Sequence, residues 1–273
     1  MQVLLPLKEF AAAKQRLAGV LSAPERAQLF EAMVDDVLNA LTAHPAIEHV
    51  VICSRDRAAV WLARYYEVEF LHESQLHENQ LHESQLCEQQ ASAYGNDAQC
   101  SGLNAVVNAA ARRFAAQGAT DLMVVHGDLP LLTECDISTF VERHRAARGA
   151  AVTIAPDRRR SGTNLLAWRA LPEFTARYGA QSFQRHSAQA NALQAELSIC
   201  DLAGARCDID EPEDLLLLAQ NTQNIALRTM AYLRDSGVAA RLALMMQSVD
   251  DRNIVDDRNM NAQLSGEMYG RAD

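Results

Sequence analysis

Two acidic stretches place their carboxylates where cation chemistry would use them. Val124-Val125-His126-Gly127-Asp128-Leu129-Pro130 sets one carboxylate at the end of an apolar run, just before a Leu-Pro turn. A carboxylate so placed points beyond the carboxyl edge of a sheet and offers the hard oxygen that Mg²⁺ takes. Downstream, Cys207-Asp208-Ile209-Asp210-Glu211-Pro212 spaces two carboxylates two residues apart. On an extended segment they share a face, and Pro212 starts a helix. Asp128 with Asp208 and Asp210 could close a divalent-metal site across the sheet edge. For each, helix capping or a turn aspartate is the competing structural reading.

Cations and small-anion donors lie elsewhere in the chain. Leu5-Pro6-Leu7-Lys8, then Lys14 and Arg16, follow directly on an opening apolar run. Ligands of open α/β sheets bind beyond the strand carboxyl ends, so three cations in such a loop suit a triphosphate. An ordinary solvated loop fits the spacing equally well. Neither a P-loop nor a dinucleotide fingerprint is present. Ser161-Gly162-Thr163-Asn164 and Tyr178-Gly179-Ala180-Gln181-Ser182-Phe183-Gln184-Arg185-His186 offer hydroxyls and glycine amides to a small anion, with Arg158–Arg160 adding charge. The bland alternative is a pair of polar loops.

The elements that must position these groups alternate between extended and helical. Gln2–Leu7, Ile47–Cys53, Val68–Leu71, Leu122–Val125 and Ala151–Ala155 read as strands. Ser22-Ala23-Pro24-Glu25 is a capping box that opens a helix with Leu29, Phe30, Met33, Val34, Val37, Leu38 and Leu41 on one face. Asp56–Tyr66, Gly102–Phe114 (stopping near Gly118) and Asp136–Ala147 also read as helices. This rhythm predicts an α/β fold with a mostly parallel sheet and helices on both faces. Two stretches break it. Leu71–Gln90 is a five-residue LHESQ-type repeat whose leucines share neither a helical nor a strand face, so it reads as a surface insertion reaching to about Cys100. His72, His77 and His82 within it do not converge on one helical face and give no metal ligand set. The division expected is a domain over residues 1–220, with the insertion at 71–100, and a helical tail over 221–273. In that tail Ile225, Leu227, Met230, Leu233, Val238, Leu242, Leu244, Met245 and Met246 form apolar stretches that need a surface to cover. A second subunit is favoured over the chain's own domain, which predicts a homodimer.

Composition narrows the partners. The chain has 273 residues, 49% hydrophobic and 5% aromatic, with a net charge of −10. An acidic surface argues against nucleic acid and anionic membranes, while a few local cations suffice for a nucleotide. No stretch approaches the roughly 18 apolar residues of a membrane span. Six scattered cysteines without CxxC spacing read as reduced thiols, so a cytoplasmic protein is expected.

Taken in order, the motifs resemble the 2-phospho-L-lactate guanylyltransferase family of coenzyme F-420 biosynthesis, which includes phosphoenolpyruvate and 3-phospho-D-glycerate guanylyltransferases. The matching residues are Pro6-Leu7-Lys8 with Ala13-Lys14-Gln15-Arg16-Leu17, then Gly102–Ala105, GDLPLL at 127–132, GTNLL at 162–166, YGxxSFxRH at 178–186 and DIDEPEDL at 208–215. They span roughly residues 1–218. The resemblance implies a Rossmann-like, GT-A-like nucleotidyltransferase fold that uses GTP and Mg²⁺. It implies that Thr163, Gly179 and Ser182 hold the phospho-acid, Asp128 and Asp210 the metal, and Lys8, Lys14 and Arg16 the GTP phosphates, with Lys14, Arg16, Asp128 and Asp210 as catalytic groups. Asn104 would lie near the nucleotide. Gln181 stands where a second glycine is usual, and its polarity leans the acid towards 3-phospho-D-glycerate. Transfer to a sugar phosphate or molybdopterin, and a non-catalytic nucleotide-binding module, are the rival readings.

Overall fold

The computed structural model describes residues 1–77, 102–220 and 227–245. Seven strands form one sheet: β1 (Gln2–Leu7), β2 (His49–Ser54), β3 (Glu69–His72), β4 (Asp121–Val125), β5 (Ala151–Pro156), β6 (Thr163–Arg169) and β7 (Glu196–Ile199), in the order β3-β2-β1-β4-β6-β5-β7. β1 pairs in parallel with β2 and β4, β2 with β3, and β5 with β7. β6 is antiparallel to both of its neighbours. The sheet is therefore mostly parallel, as the alternation of elements requires.

Alternate side chains of each strand feed two separate apolar layers, which is the period-two consequence of burying both faces. Val3, Leu5, Leu7, Met123, Val125, Leu165 and Ala167 lie in one layer. Leu4, Leu122, Val124, Val152, Ile154, Leu166 and Trp168 lie in the other. Helix α1 (Ala23–Ala43) covers the first layer, and every apolar residue expected on its inner face is buried. Its capping box is formed, with the Ser22 backbone N–H donating to Glu25 at 2.8 Å. The short α2 (Ala58–Tyr65) and α3 (Ser74–His77) follow, and α4 (Leu103–Ala116) covers the second layer with Val106, Val107, Ala110 and Phe114. α5 (Glu134–Ala146), α6 (Ser182–Ala192) and α7 (Pro212–Ala219) complete the two coats.

Three expectations are corrected. First, Ser161–Asn164 is no plain polar loop: Thr163 opens β6, whose Leu165-Leu166-Ala167-Trp168 is a continuous buried run. Second, the surface insertion does not begin at Leu71. Leu71 lies in β3, and Leu76, which opens the second repeat unit, is buried in the same layer as Val106 and Val107, so the leading leucines of the first two units belong to the core. The later units, from residue 78, lie outside the described residues. Third, the described part of the tail finds cover for its apolar residues on its own domain. α8 (Arg228–Asp235) and a helical run at 238–245 pack on α1, burying Leu233, Val238 and Leu242. Asp36 of α1 caps α8, accepting from the Arg228 N–H at 2.7 Å and the Thr229 N–H at 2.9 Å. Arg241 reaches back to Glu25 at 2.8 Å. A free apolar face on α1 is what the tail satisfies.

Candidate active site

The antiparallel β6 explains how distant motifs meet. Val125 at the end of β4 lies opposite Leu165 near the start of β6, so the loop after β4 and Thr163-Asn164 share one edge of the sheet. β1 ends on that same edge, delivering Lys8 exposed and the loop that carries Lys14. Gly127 is required by close approach: a Cβ there would stand 2.6 Å from Leu7 and 2.9 Å from Val34. The backbone can then run against α1 and present Asp128.

Lys14 lies at the centre of this edge. Its side chain is only 4% exposed, and its ammonium donates to Asp128 Oδ2 at 2.6 Å and Asp210 Oδ1 at 2.7 Å. It adopts a left-handed backbone, φ 54°, which costs a non-glycine residue about 1–2 kcal/mol and is the kind of strain that functional sites retain. Burial alone would push the Lys14 pKa down, but the charges of Asp128 and Asp210 outweigh it and the net shift is upward. Burial likewise opposes the charged form of Asp128, and the neighbouring Lys14 reverses that, holding its carboxyl below the usual range. The Ile209 N–H donates to the Asp128 carbonyl at 3.2 Å, which locks the two acidic segments together.

Asp208 joins the cluster. Asn164 fixes it, its Nδ2 donating to Asp208 Oδ1 at 3.1 Å and to the Ala205 carbonyl at 2.8 Å. Burial first, then the charge of Asp128, push its carboxyl up to about 6. Asp208 and Asn164 stand in the DIDEPEDL and GTNLL stretches; their role is legible only once β6 is known to lie beside β4. Arg16 is exposed and 3.7 Å from both Asp210 and Glu211. With Arg158, Arg159 and Arg206 it lines a cavity of about 500 Å³ that opens beside Asp208 and Asp210.

Thr163, Gly179 and Ser182 also come together. The Phe183 N–H donates to the Ser161 carbonyl at 3.2 Å, tying the start of α6 to the strand that begins at Thr163. Thr163 Oγ1 lies 3.0 Å from His186 Nδ1, one helical turn after Ser182. Gly179 has φ +113°, open to glycine, and Gln181 has φ +56°, which is why a glycine would suit that position. Gln181 itself is exposed and makes no cap bond. Asn104, expected near the nucleotide, is engaged otherwise: its amide donates to the Tyr178 carbonyl at 3.1 Å and accepts from the Tyr178 N–H at 2.6 Å.

The residues present can be tested against a divalent ion. Asp128 Oδ1 is buried without a partner, and so is His126 Nε2 beside it. An orphaned carboxylate oxygen, near enough to Asp208 for its charge to raise that carboxyl's pKa, suits a cation. No group of three or more His, Cys, Asp or Glu among the described residues forms a ready cage, since the Lys14 ammonium fills the space between Asp128 and Asp210. Mg²⁺ needs no such cage, taking one or two carboxylates and completing its shell with water and phosphate oxygens. The donor set fits.

Comparison with known proteins identifies the family. The family model described as "Guanylyl transferase CofC like" matches residues 1–94 and 77–248. A phosphoenolpyruvate guanylyltransferase of Roseiflexus castenholzii is 33% identical over 84% of this chain and 92% of its own length. A 3-phospho-D-glycerate guanylyltransferase of Phenylobacterium zucineum is 29% identical over 80% of this chain and 89% of its own. Among solved structures, a candidate nucleotide-diphospho-sugar transferase from Desulfovibrio desulfuricans shares the fold with a TM-score of 0.64 at 16% identity, covering 89% of this chain and 96% of its own. No helix among the described residues is long and apolar enough to cross a membrane. With an α/β sheet whose one edge gathers Lys14, Asp128, Asp208, Asp210 and Thr163, and with the family model spanning nearly all of it, the chain belongs to the CofC-like guanylyl transferases.

Proposed function

We propose that this protein transfers GMP from GTP to the phosphate of a small three-carbon phospho-acid, releasing pyrophosphate, as a cytoplasmic step towards coenzyme F-420. The observation that carries this reading is the Lys14–Asp128–Asp210 bridge, set with Asp208 on the sheet edge that also holds Thr163. Guanylyl transfer needs no activated side-chain nucleophile, because a phosphate monoester is already anionic near neutral pH. Its oxygen attacks the α-phosphorus of GTP, the bond to the β-phosphate oxygen breaks, and pyrophosphate leaves with the bonding electrons. The protein's task is in-line positioning and charge neutralisation. Lys14 meets the phosphates as a buried cation, with exposed Arg16 and Lys8 free to close on them. Thr163, Gly179 and Ser182 hold the acid. Asp128 and Asp210 would hold Mg²⁺, with Asp208 beside them, and the ion would supply Lewis-acid neutralisation of phosphate oxygens.

For the acid, the relatives' names support phosphoenolpyruvate and 3-phospho-D-glycerate. Gln181, whose polarity leans the choice towards the glycerate, is exposed at the head of α6, while relatives at 33% and 29% identity carry the names of the phosphoenolpyruvate and the glycerate enzyme. Pyrophosphate release measured with each nucleoside triphosphate against phosphoenolpyruvate, 3-phospho-D-glycerate and 2-phospho-L-lactate tests the proposal. GTP with one of these acids is expected to give product of the guanylylated mass. Turnover only with CTP or with sugar phosphates would overturn it.

A further inference from the structure

The segment 176–178, just before Gly179, is held from two sides by side chains. Asn104 exchanges two hydrogen bonds with the Tyr178 backbone, at 3.1 and 2.6 Å. Asn108, one turn along α4, does the same with Ala176, at 3.1 and 2.7 Å. Four residues of helix rise about 6 Å, close to the rise of two strand residues, so the helix edge acts as a strand partner. Arg177, between them, turns its N–H the other way, onto His186 Nε2 at 2.8 Å.

That one bond settles the histidine. A backbone amide only donates, so Nε2 is the bare nitrogen and the ring proton sits on Nδ1. Nδ1 lies 3.0 Å from Thr163 Oγ1, and both residues are buried. The Thr163 hydroxyl therefore accepts from His186, and its own proton has no other acceptor among the described hydrogen bonds. Burial, with the charges of His126, Arg177 and Arg185, pushes the imidazole down to about 3, so the ring stays neutral.

We propose that His186 is a positioning residue that makes the Thr163 hydroxyl an obligate hydrogen-bond donor, aimed at an ionised oxygen of the phospho-acid. This rests on the reading of Thr163 as an acid-binding residue. It deepens that reading, because a donor-only hydroxyl selects an atom that carries lone pairs and no proton, such as a phosphate or carboxylate oxygen. The Asn104–Asn108 clamp belongs to the same device, since it fixes the Arg177 amide that fixes the ring.

The test uses the full chain with phosphoenolpyruvate and with 3-phospho-D-glycerate at saturating GTP, comparing Thr163→Val, His186→Gln, His186→Asn and the Thr163→Val/His186→Gln double variant. Thr163→Val and His186→Gln are each expected to raise the acid's KM about tenfold or more, the loss of one hydrogen bond to a charged group, with GTP's KM unchanged. His186→Asn can place its amide N–H where Nδ1–H was, and is expected to keep the acid's KM within about threefold, since that bond is retained. The double variant is expected to be no worse than Thr163→Val alone. Additive effects in the double variant, or equal effects of Asn and Gln, would show a merely structural histidine and overturn the inference. If Thr163→Val raises KM and His186→Gln does not, the inference fails while the acid-site reading stands. If Thr163→Val changes nothing, the acid-site reading fails and takes the inference with it. Independently of turnover and of any variant's folding, ¹⁵N shifts of the histidine rings in the unsubstituted protein read the tautomer. The Nδ1–H form is expected for His186, and the Nε2–H form or an imidazolium at neutral pH overturns the proposal.

Discussion

Replacing Lys14 by Met keeps the aliphatic length and removes the charge. In the native protein the ammonium is 4% exposed and bonded to Asp128 at 2.6 Å and Asp210 at 2.7 Å. Without it, Asp128 has no ion-pair partner among the described residues, and Asp210 keeps only the exposed Arg16 at 3.7 Å. Removing one partner of a buried ion pair costs about 3–5 kcal/mol. The Asp210 side chain is 44% exposed. Its share is therefore discounted towards the roughly 1 kcal/mol or less of surface pairs. The Asp128 contact dominates, and a loss of about 3 kcal/mol corresponds to a Tm drop of roughly 6–12 °C for a protein near this size. The sign against pH follows from both partners. Asp128 is held below its ordinary 3.8, so its contribution is present above that value and is lost as pH falls through the depressed one. Lys14 is held above its ordinary 10.5, so its contribution is present below that value and is lost as pH rises through the raised one. The gap between native and variant is therefore widest at and above neutral pH, until Lys14 titrates, and narrows at both extremes. Thermal unfolding followed by circular dichroism across pH reads it directly. A Tm within about 2 °C of native at neutral pH, where the full pair energy is present, would refute the reasoning. So would a gap that fails to narrow on acidification.

Four further outcomes are expected. Asp128→Asn and Asp210→Asn should each lower turnover about 100-fold or more in the pyrophosphate assay while a cooperative melt survives. Asp208→Asn should lower turnover too, yet gain about 1–3 kcal/mol of stability at pH 7–8, because a carboxyl pushed up to about 6 is costly when ionised; that gain should vanish as pH falls towards 3.8, which a pH series of melts would show. Gln181→Gly should raise Tm by a few degrees, because relief of the left-handed φ of 56° exceeds the added unfolded-state entropy by up to about 1 kcal/mol; an unchanged or lower Tm would count against strain there. Ending the chain at Gln220 strips Leu233, Val238 and Leu242 from α1, at about 2 kcal/mol each, and should lower Tm sharply with aggregation in light scattering; two equally stable monomers would refute the packing role.

The parallel half of the sheet was legible because each strand is a short apolar run followed by a turn or a helix start. α1 was legible down to its capping box. β6 was hidden because Ser161-Gly162-Thr163-Asn164 carries turn signals and drew attention from the buried Leu165–Trp168 run behind it. That concealed why GTNLL sits beside GDLPLL, and with it the hold of Asn164 on Asp208. Lys14 was identified as a site cation, but spacing says nothing about which anions it meets. Asn104 reads as a polar group free for ligand until the chain brings Tyr178 across it. The tail's need for a surface was legible, but whether that surface belongs to its own chain depends on α1 leaving a face open, which no local pattern shows.

The clamp from α4 also decides how freely the chain can vary upstream. Leu76 and Val106 lie in one apolar layer, and α3 touches α4, so the described residues on either side of positions 78–101 stand side by side in the core. Asn104 and Asn108 set the register of segment 176–178 from the helix itself. The register of that segment is therefore written into α4, and a gain or loss of repeat units in the gene bears on it through the packing of α3 against α4.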